Sequence, residues 1–413
     1  MISTLGFLVS IPGQTMGMAV FTDAFIEVLG LTRTELSMAY LTGTVLSSVF
    51  LTKAGRWFDR FGGRVMIAVS SLALGLMVFY ISMVDLLTVY FGGASVVAFF
   101  LILIGYFGVR FFGQGVLASC SRNILMLWFV KRRGLVSGFR GVLVSFGFAI
   151  APVLLAALIL QFGWRGALWS MALFVGLGFS LLAIVFLRDS PEACGMMPDG
   201  IQQSDALEEL PQVKSKTLRE ARKSPAFWVY SASLGMHAMF GTALTFHVVS
   251  IFSQAGRSTE EAFSYFLPAA IFSVISNLWA SWLIDSRSLK PFLIIMLLAF
   301  ISGAWGLVNL ESDWGFWMLA LGFGAGGGLW GVLSNLVHIR FFGPLHLGEI
   351  SGMSASITVF ASAVGPAAFS LGFDYFGTYE VAVLICLGML ICLLVWALTM
   401  QQQELPTQGK ICD

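Results

Sequence analysis

Charge is scarce in this sequence: 11% of its 413 residues are Asp, Glu, Lys or Arg, while 58% are hydrophobic. A soluble chain carries roughly twice that share of charge, so the scarcity excludes a soluble globular protein. The formal net charge of +1 leaves no basic surplus, and no nucleic-acid partner is expected. Cysteine is also sparse. Cys120, Cys194, Cys386, Cys392 and Cys412 form no CxxC pair, which leaves neither a disulfide framework nor a metal site. No cofactor is expected, and no residue constellation for covalent or metal catalysis occurs, which argues against an enzyme. A cleavable signal peptide is not evident either. Met1 leads almost directly into GFLVSIPGQTMGMAVF, which reads as a first spanning helix.

What is present is apolar sequence in runs of about 20 residues or more, the length of a membrane-spanning helix rather than of a ~10-residue barrel strand. Twelve such segments run roughly 3–28, 36–54, 64–84, 95–123, 135–160, 164–187, 225–253, 262–284, 290–309, 315–341, 350–373 and 379–400. The pattern predicts an all-α integral membrane protein with twelve transmembrane helices in two six-helix bundles. The bundles cover 1–187 and 225–400, with a cytoplasmic linker at 188–224 and a cytoplasmic tail at 401–413. The linker mixes Asp205, Glu208 and Glu209 with a basic run from Lys214 to Lys223.

Loop charge alternates. Lys53, Arg56, Arg60, Arg64, Lys131, Arg132, Arg133, Arg287 and Lys290 crowd one side, whereas Asp85, Glu260, Glu261, Glu311, Asp313 and Glu380 lie on the other. The positive-inside rule then places both termini in the cytoplasm of a cell (inner or plasma) membrane, with the lipid bilayer as partner. The halves also repeat. LGLTRTEL (29–36) matches AGRSTEEA (255–262) at an offset of 226, which pairs Asp59 with Asp285 and Arg64 with Lys290. SGFRGVLVSFGFAIAP (137–152) matches SGMSASITVFASAVGP (351–366) at an offset of 214. Duplication of a six-helix unit is one of the repeat types of secondary transporters.

The residues GRWFDRFGGR (Gly55–Arg64) between the second and third spans, RFFGQG (Arg110–Gly115) in the fourth and GFAIAP ending at Pro152 resemble the signatures of the major facilitator superfamily of secondary transporters. The resemblance covers essentially the whole chain and implies alternating access without enzymatic chemistry. RDSPEACGMMPDG (188–200) and KRRGLVSG (131–138) further resemble the oxalate/formate antiporter and monocarboxylate transporter group. Members of that group often grip carboxylate with a basic residue in the eighth or eleventh helix. Here both of those spans are uncharged.

Individual polar residues suggest roles. Asp59, with Gly55, Arg60 and Arg64, sits where a carboxylate can pair with basic groups and face positive helix N-termini. It would latch the outward-facing state, with Asp285 as its repeat partner. Arg110 lies fifteen residues into the fourth span, about 22 Å deep at ~1.5 Å per residue. Gln114 and Ser121 fall on its helical face. Arg110 either meets an anionic solute or braces neighbouring helices. Pro12 and Gly13 weaken the first helix, which puts Gln14 and Thr15 near a cavity. His237 and His247 can titrate near neutral pH, so protons are a candidate partner. Asn277, Trp330 and Asn335 complete the candidate solute contacts. The tenth span's GFGAGGGLWG (322–331) serves close packing or a hinge. The expected function is secondary transport of a small solute, an organic anion such as a monocarboxylate. Efflux of hydrophobic or cationic compounds and a non-transporting membrane receptor are the alternatives.

Overall fold

The computed structural model describes residues 2–200, 215–401 and 404. Met1, the linker residues Asp205, Glu208, Glu209 and Lys214, and Cys412 with most of the tail lie outside the described residues. The described residues are 86% helix and contain no strand. The helices are α1 Ile2–Val9, α2 Thr15–Ala19, α3 Thr22–Leu29, α4 Arg33–Phe61, α5 Gly63–Ile81 and α6 Val84–Tyr90. α7 Ser95–Val109, α8 Ala118–Trp128, α9 Arg133–Ala172, α10 Ser180–Phe186 and α11 Leu218–Ala221 follow. The remainder are α12 Pro225–Gln254, α13 Thr259–Ser264, α14 Phe266–Leu283, α15 Leu289–Val308, α16 Asp313–Phe342, α17 Leu347–Phe376 and α18 Glu380–Thr399.

All twelve expected spans are there, with differences that have local causes. Among the described residues, nine helical stretches are long and apolar enough to cross a membrane. One of them, Arg133–Phe186, holds both the fifth and sixth spans, which turn at Gly163 with its φ of +69°. The second span, α4, is too polar to reach that threshold. The first is divided: a 3-10 turn at Ile11–Gly13, carrying Pro12, separates α1 from α2. The expected loop at Gly55–Arg64 is mostly helix. α4 continues through Phe61 because no breaker intervenes before Gly62, whose φ is +83°.

The chain divides into two compact units. One gathers the described residues of Met1–Trp128, Leu143–Glu209 and Leu347–Ser356; the other gathers those of Phe129–Val142, Leu210–His346 and Ile357–Asp413. Thus the start of α9 packs in the second unit and the start of α17 in the first.

Inside a bilayer the hydrophobic effect does not drive helices together, so small residues and hydrogen bonds do. The tenth-span glycines act in this way. A Cβ on Gly324 would collide with the Ala269 carbonyl and one on Gly322 with the backbone of Gly303, so α16 lies backbone-close to α14 and α15. Large apolar side chains such as Leu160 and Val153 point outward, as a lipid-facing surface requires.

Candidate functional site

In the first unit the fourth span changes helical type at its motif. Arg110–Leu117 forms a π-helical stretch between α7 and α8. Such bulges often mark functional positions, and this one alters the regular face expected for Arg110, Gln114 and Ser121. Its packing partner is the break in the first span. A Cβ on Gly113 would stand 2.7 Å from Gly13 Cα, so only glycines allow this crossing.

Arg110 is 3% exposed. Its Nη1 donates to the Gly13 carbonyl at 3.0 Å, and its guanidinium lies 5.2 Å from the centre of the Tyr40 ring. Among the described residues its Nε has no acceptor and no carboxylate forms an ion pair with it. Tyr40 donates its hydroxyl proton to Thr15 Oγ1 at 3.0 Å, a bond on the exposed side of the same group. Gln14 donates to Ser10 Oγ at 3.2 Å, and the buried Gln114 Oε1 has no donor. Ser121 is turned toward α1, where Ser3 donates to its carbonyl. The structure therefore brings Arg110, Thr15 and Tyr40 together around the broken first span. Tyr40 was not foreseen, because a lone tyrosine in an otherwise ordinary span carries no sequence signal for what it covers.

The second unit holds the remaining candidates in four separate settings. His237 stacks on Phe300 with ring centres 4.8 Å apart, and Trp330 lies 5.1 Å away. Its buried Nδ1 has no partner among the described residues, while Trp330 Nε1 donates to the Leu234 carbonyl at 3.1 Å. His247 is elsewhere, with Nε2 3.0 Å from the Pro366 carbonyl and 3.3 Å from Ser370 Oγ. Asn277 donates to the Gly328 carbonyl at 3.1 Å. Asn335 donates to Ser137 Oγ and accepts from Arg140 Nη1 at 3.5 Å.

At the end of each unit that carries the basic loops, a carboxylate closes a helix N-terminus. Asp59 accepts from the Gly348 and Glu349 amides at 2.7 and 2.8 Å, both in the first turn of α17. Asp285 accepts from the Gly134 and Leu135 amides at 2.7 and 3.2 Å, in the first turn of α9. These amides have no intrahelical acceptor, and the positive end of the helix dipole favours an anion there. Gly134 and Gly348 are related by the 214-residue offset, so the repeat read from sequence recurs as a repeated contact. Gly55 permits the first seam, since a Cβ there would collide with the Gly348 carbonyl.

The neighbouring basic residues are engaged differently from a simple pairing with Asp59. Arg64 Nε donates to the Ile184 carbonyl at 2.8 Å, and its repeat partner Lys290 donates to the Leu398 carbonyl at 2.9 Å. Arg60 lies over the Phe61 ring at 5.3 Å. Two further acids cap helices at this end: Asp189 accepts from the Arg64 amide at 2.7 Å, and Glu404 from the Leu289 amide at 2.6 Å. On the opposite loops, Arg33, Arg165 and Arg257 pair with Asp23, Asp85 and Asp313.

These features define a class: a twelve-span membrane bundle built from a duplicated six-helix unit, with repeated carboxylate-closed seams at one end. The chain belongs to the Major Facilitator Superfamily, whose family model matches residues 2–366. It is 28% identical over 160 residues to a probable L-galactonate transporter of Escherichia coli strain K12, covering 38% of this chain and 32% of the relative. It is 26% identical over 167 residues to the probable sulfoacetate transporter SauU of Cupriavidus necator, covering 40% of this chain and 36% of the relative. The aligned stretch thus spans about a third of each relative's length. Among solved structures, it is similar to a bacterial homologue of the iron transporter ferroportin in an outward-facing state, with TM-score 0.72, 16% identity and coverage of 96% of this chain and 98% of that one. It is also similar to the proton:xylose symporter XylE, with TM-score 0.69, 16% identity and coverage of 98% and 95%. At such identities the likeness is one of fold.

Proposed function

We propose that this protein is a secondary active transporter that moves a small organic anion by alternating access. One observation carries the reading: Arg110 is buried as a cation and no described carboxylate neutralises it. A buried charge without a partner costs several kcal/mol, whereas an arriving anion supplies the missing half of the pair. The vacant Nε–H is a donor suited to a carboxylate or sulfonate oxygen. The names of the two relatives support the same class, since galactonate and sulfoacetate are both anions. They support organic anions as a class, galactonate being itself a monocarboxylate, and do not extend to the oxalate/formate group.

Thr15, Tyr40, Gln14 and Gln114 contribute polar contacts beside Arg110 in this reading. In the other half, His237 with Trp330, His247, Asn277 and Asn335 are the candidates, and either histidine could link transport to protons. The halves 1–187 and 225–400 rock about the site, and the Asp59 and Asp285 seams act as latches on the cytoplasmic side, where the basic loops place both termini.

Thermal-shift titration of the purified full chain tests this with L-galactonate, sulfoacetate and neutral galactose. A ligand present at 100 times its Kd stabilises by about 2.7 kcal/mol. The anions are expected to raise the Tm, galactose is not, and Arg110→Gln removes the response. A shift that survives Arg110→Gln, or one equally large with galactose, would refute the reading.

A further inference from the structure

Behind the carboxylate seams lies a second repeated contact. Asn123 of α8 donates its amide to Ser351 Oγ of α17 at 2.8 Å. Asn335 of α16 donates its amide to Ser137 Oγ of α9. Ser137 and Ser351 are related by the 214-residue offset, and Asn335 falls two residues short of that offset from Asn123. The same chemistry therefore joins the fourth span to the eleventh and the tenth span to the fifth, although the two amides have drifted in alignment. All four side chains are buried: Asn123 is 6% exposed, Ser351 8%, Asn335 5% and Ser137 1%. Each bond lies one turn or less beyond its carboxylate-capped residues, since Ser351 follows Glu349 and Ser137 follows Leu135 by two positions.

We infer that Asn123 and Asn335 are a matched pair of positioning residues. Each fixes the register of a partner helix in the latched state and sets how often the cytoplasmic side opens. The physical basis is the cost of a buried amide without an acceptor. Asparagine in an apolar span keeps its hydrogen bond in only one register, so a helix sliding past it must first exchange that bond for water. The carboxylates grip backbone at the helix tip, where any residue offers an N–H. The amides read a specific hydroxyl and so specify which turn is docked. On this reading Asn335 acts through the state of the protein rather than on the solute.

A native thiol reports the state. Cys120 is 3% exposed and lines a small crevice with Gly55, Asn123, Gly348 and Gly352, all in the first unit. In the full chain with Cys194, Cys386, Cys392 and Cys412 replaced by Ser, the rate of Cys120 alkylation by N-ethylmaleimide follows the opened population. The informative variants sit in the other unit, and none of them is among the residues that line the crevice. Asn335→Ala is expected to raise the rate about five-fold, the effect of one lost buried hydrogen bond. Ser137→Ala, a smaller change on the other side of the same bond, is expected to match it. Ser137→Thr, which keeps the hydroxyl, and Ser233→Ala, at a buried serine outside the pair, are expected to leave the rate unchanged. An unchanged rate in Ser137→Ala, or an equal rise in Ser233→Ala, would overturn the inference. No solute enters this assay, so its outcome is independent of the anion reading.

Discussion

The two carboxylate seams share a grip and differ in what flanks it. Asp59 holds the first turn of α17, and Asp285 holds the first turn of α9 through the equivalent pair of amides. Beside Asp59, Arg56 forms an ion pair with Glu349. At the repeat positions of those two residues stand Trp282 and Leu135, both exposed and apolar. Gly55 corresponds to Ser281, so the second seam keeps the close backbone approach, with the Ser281 carbonyl 2.6 Å from where a Cβ on Gly134 would stand, and adds a side chain beside it. Duplication preserved the part that any helix N-terminus can supply, and the two copies diverged in the side chains around it. The first seam has a second polar tie in that ion pair; at the second, Arg140 extends the Asn335–Ser137 bond that both seams share in kind.

The largest way to break the comparison is to neutralise the carboxylates. An amide offers one acceptor where the carboxylate offers two, and a charge-assisted hydrogen bond contributes about 1.5–3 kcal/mol. Asp285→Asn is expected to reduce proteoliposome uptake more than tenfold. Asp59→Asn is expected to do less, because the Arg56–Glu349 pair remains. Equal effects would show that the flanking pair contributes nothing. Next in size is the close crossing. Gly55→Ala forces α4 away from α17, an overpacking cost of about 1–3 kcal/mol, and should lower the Tm by several degrees. Ser281→Ala, at the repeat position, should leave it within a degree.

A smaller effect follows from moving the ion pair. Arg56 is 60% exposed at its side chain, so the pair is worth about 0.2–1 kcal/mol. Trp282→Arg combined with Leu135→Glu should slow alkylation of Cys120 by up to about threefold, with the gain fading in high salt. Absence of that salt dependence would argue against an electrostatic origin. Smallest is the α11 cap. The Thr217 amide, and then its hydroxyl, hold the Glu220 carboxyl below its usual range. A depressed native pKa gives stability that is present above the unfolded value and lost as pH falls through the native one. Hydrogen-exchange protection at residues 217–224, relative to the free-peptide rate at each pH, should therefore fall on acidification, and Glu220→Gln should abolish that fall.

Much of this was legible from residues. The offset of 226 pairs Asp59 with Asp285, and both close a helix N-terminus, because such a contact needs only an acid at the right end of a span. The burial of Arg110 follows from its place well inside a long apolar run. Other features left no local mark. Nothing in RFFGQG separates π from α winding, since both suit the same residues. The helical course of α4 through Phe61 depended on where the first glycine with positive φ fell. The Asn123–Ser351 and Asn335–Ser137 bonds join residues far apart in the chain. Only their near-coincidence with the 214-residue repeat offered a clue.

The most direct test of the central claim is uptake of a labelled organic acid and of its neutral analogue into proteoliposomes holding the full chain or Arg110→Gln. Arg110 as the solute's counter-charge predicts that the acid alone enters through the unmodified protein. It also predicts that Arg110→Gln loses that uptake by a hundredfold or more, roughly the worth of a buried charge pair, while remaining folded by thermal shift. Undiminished uptake of the acid by folded Arg110→Gln would contradict it.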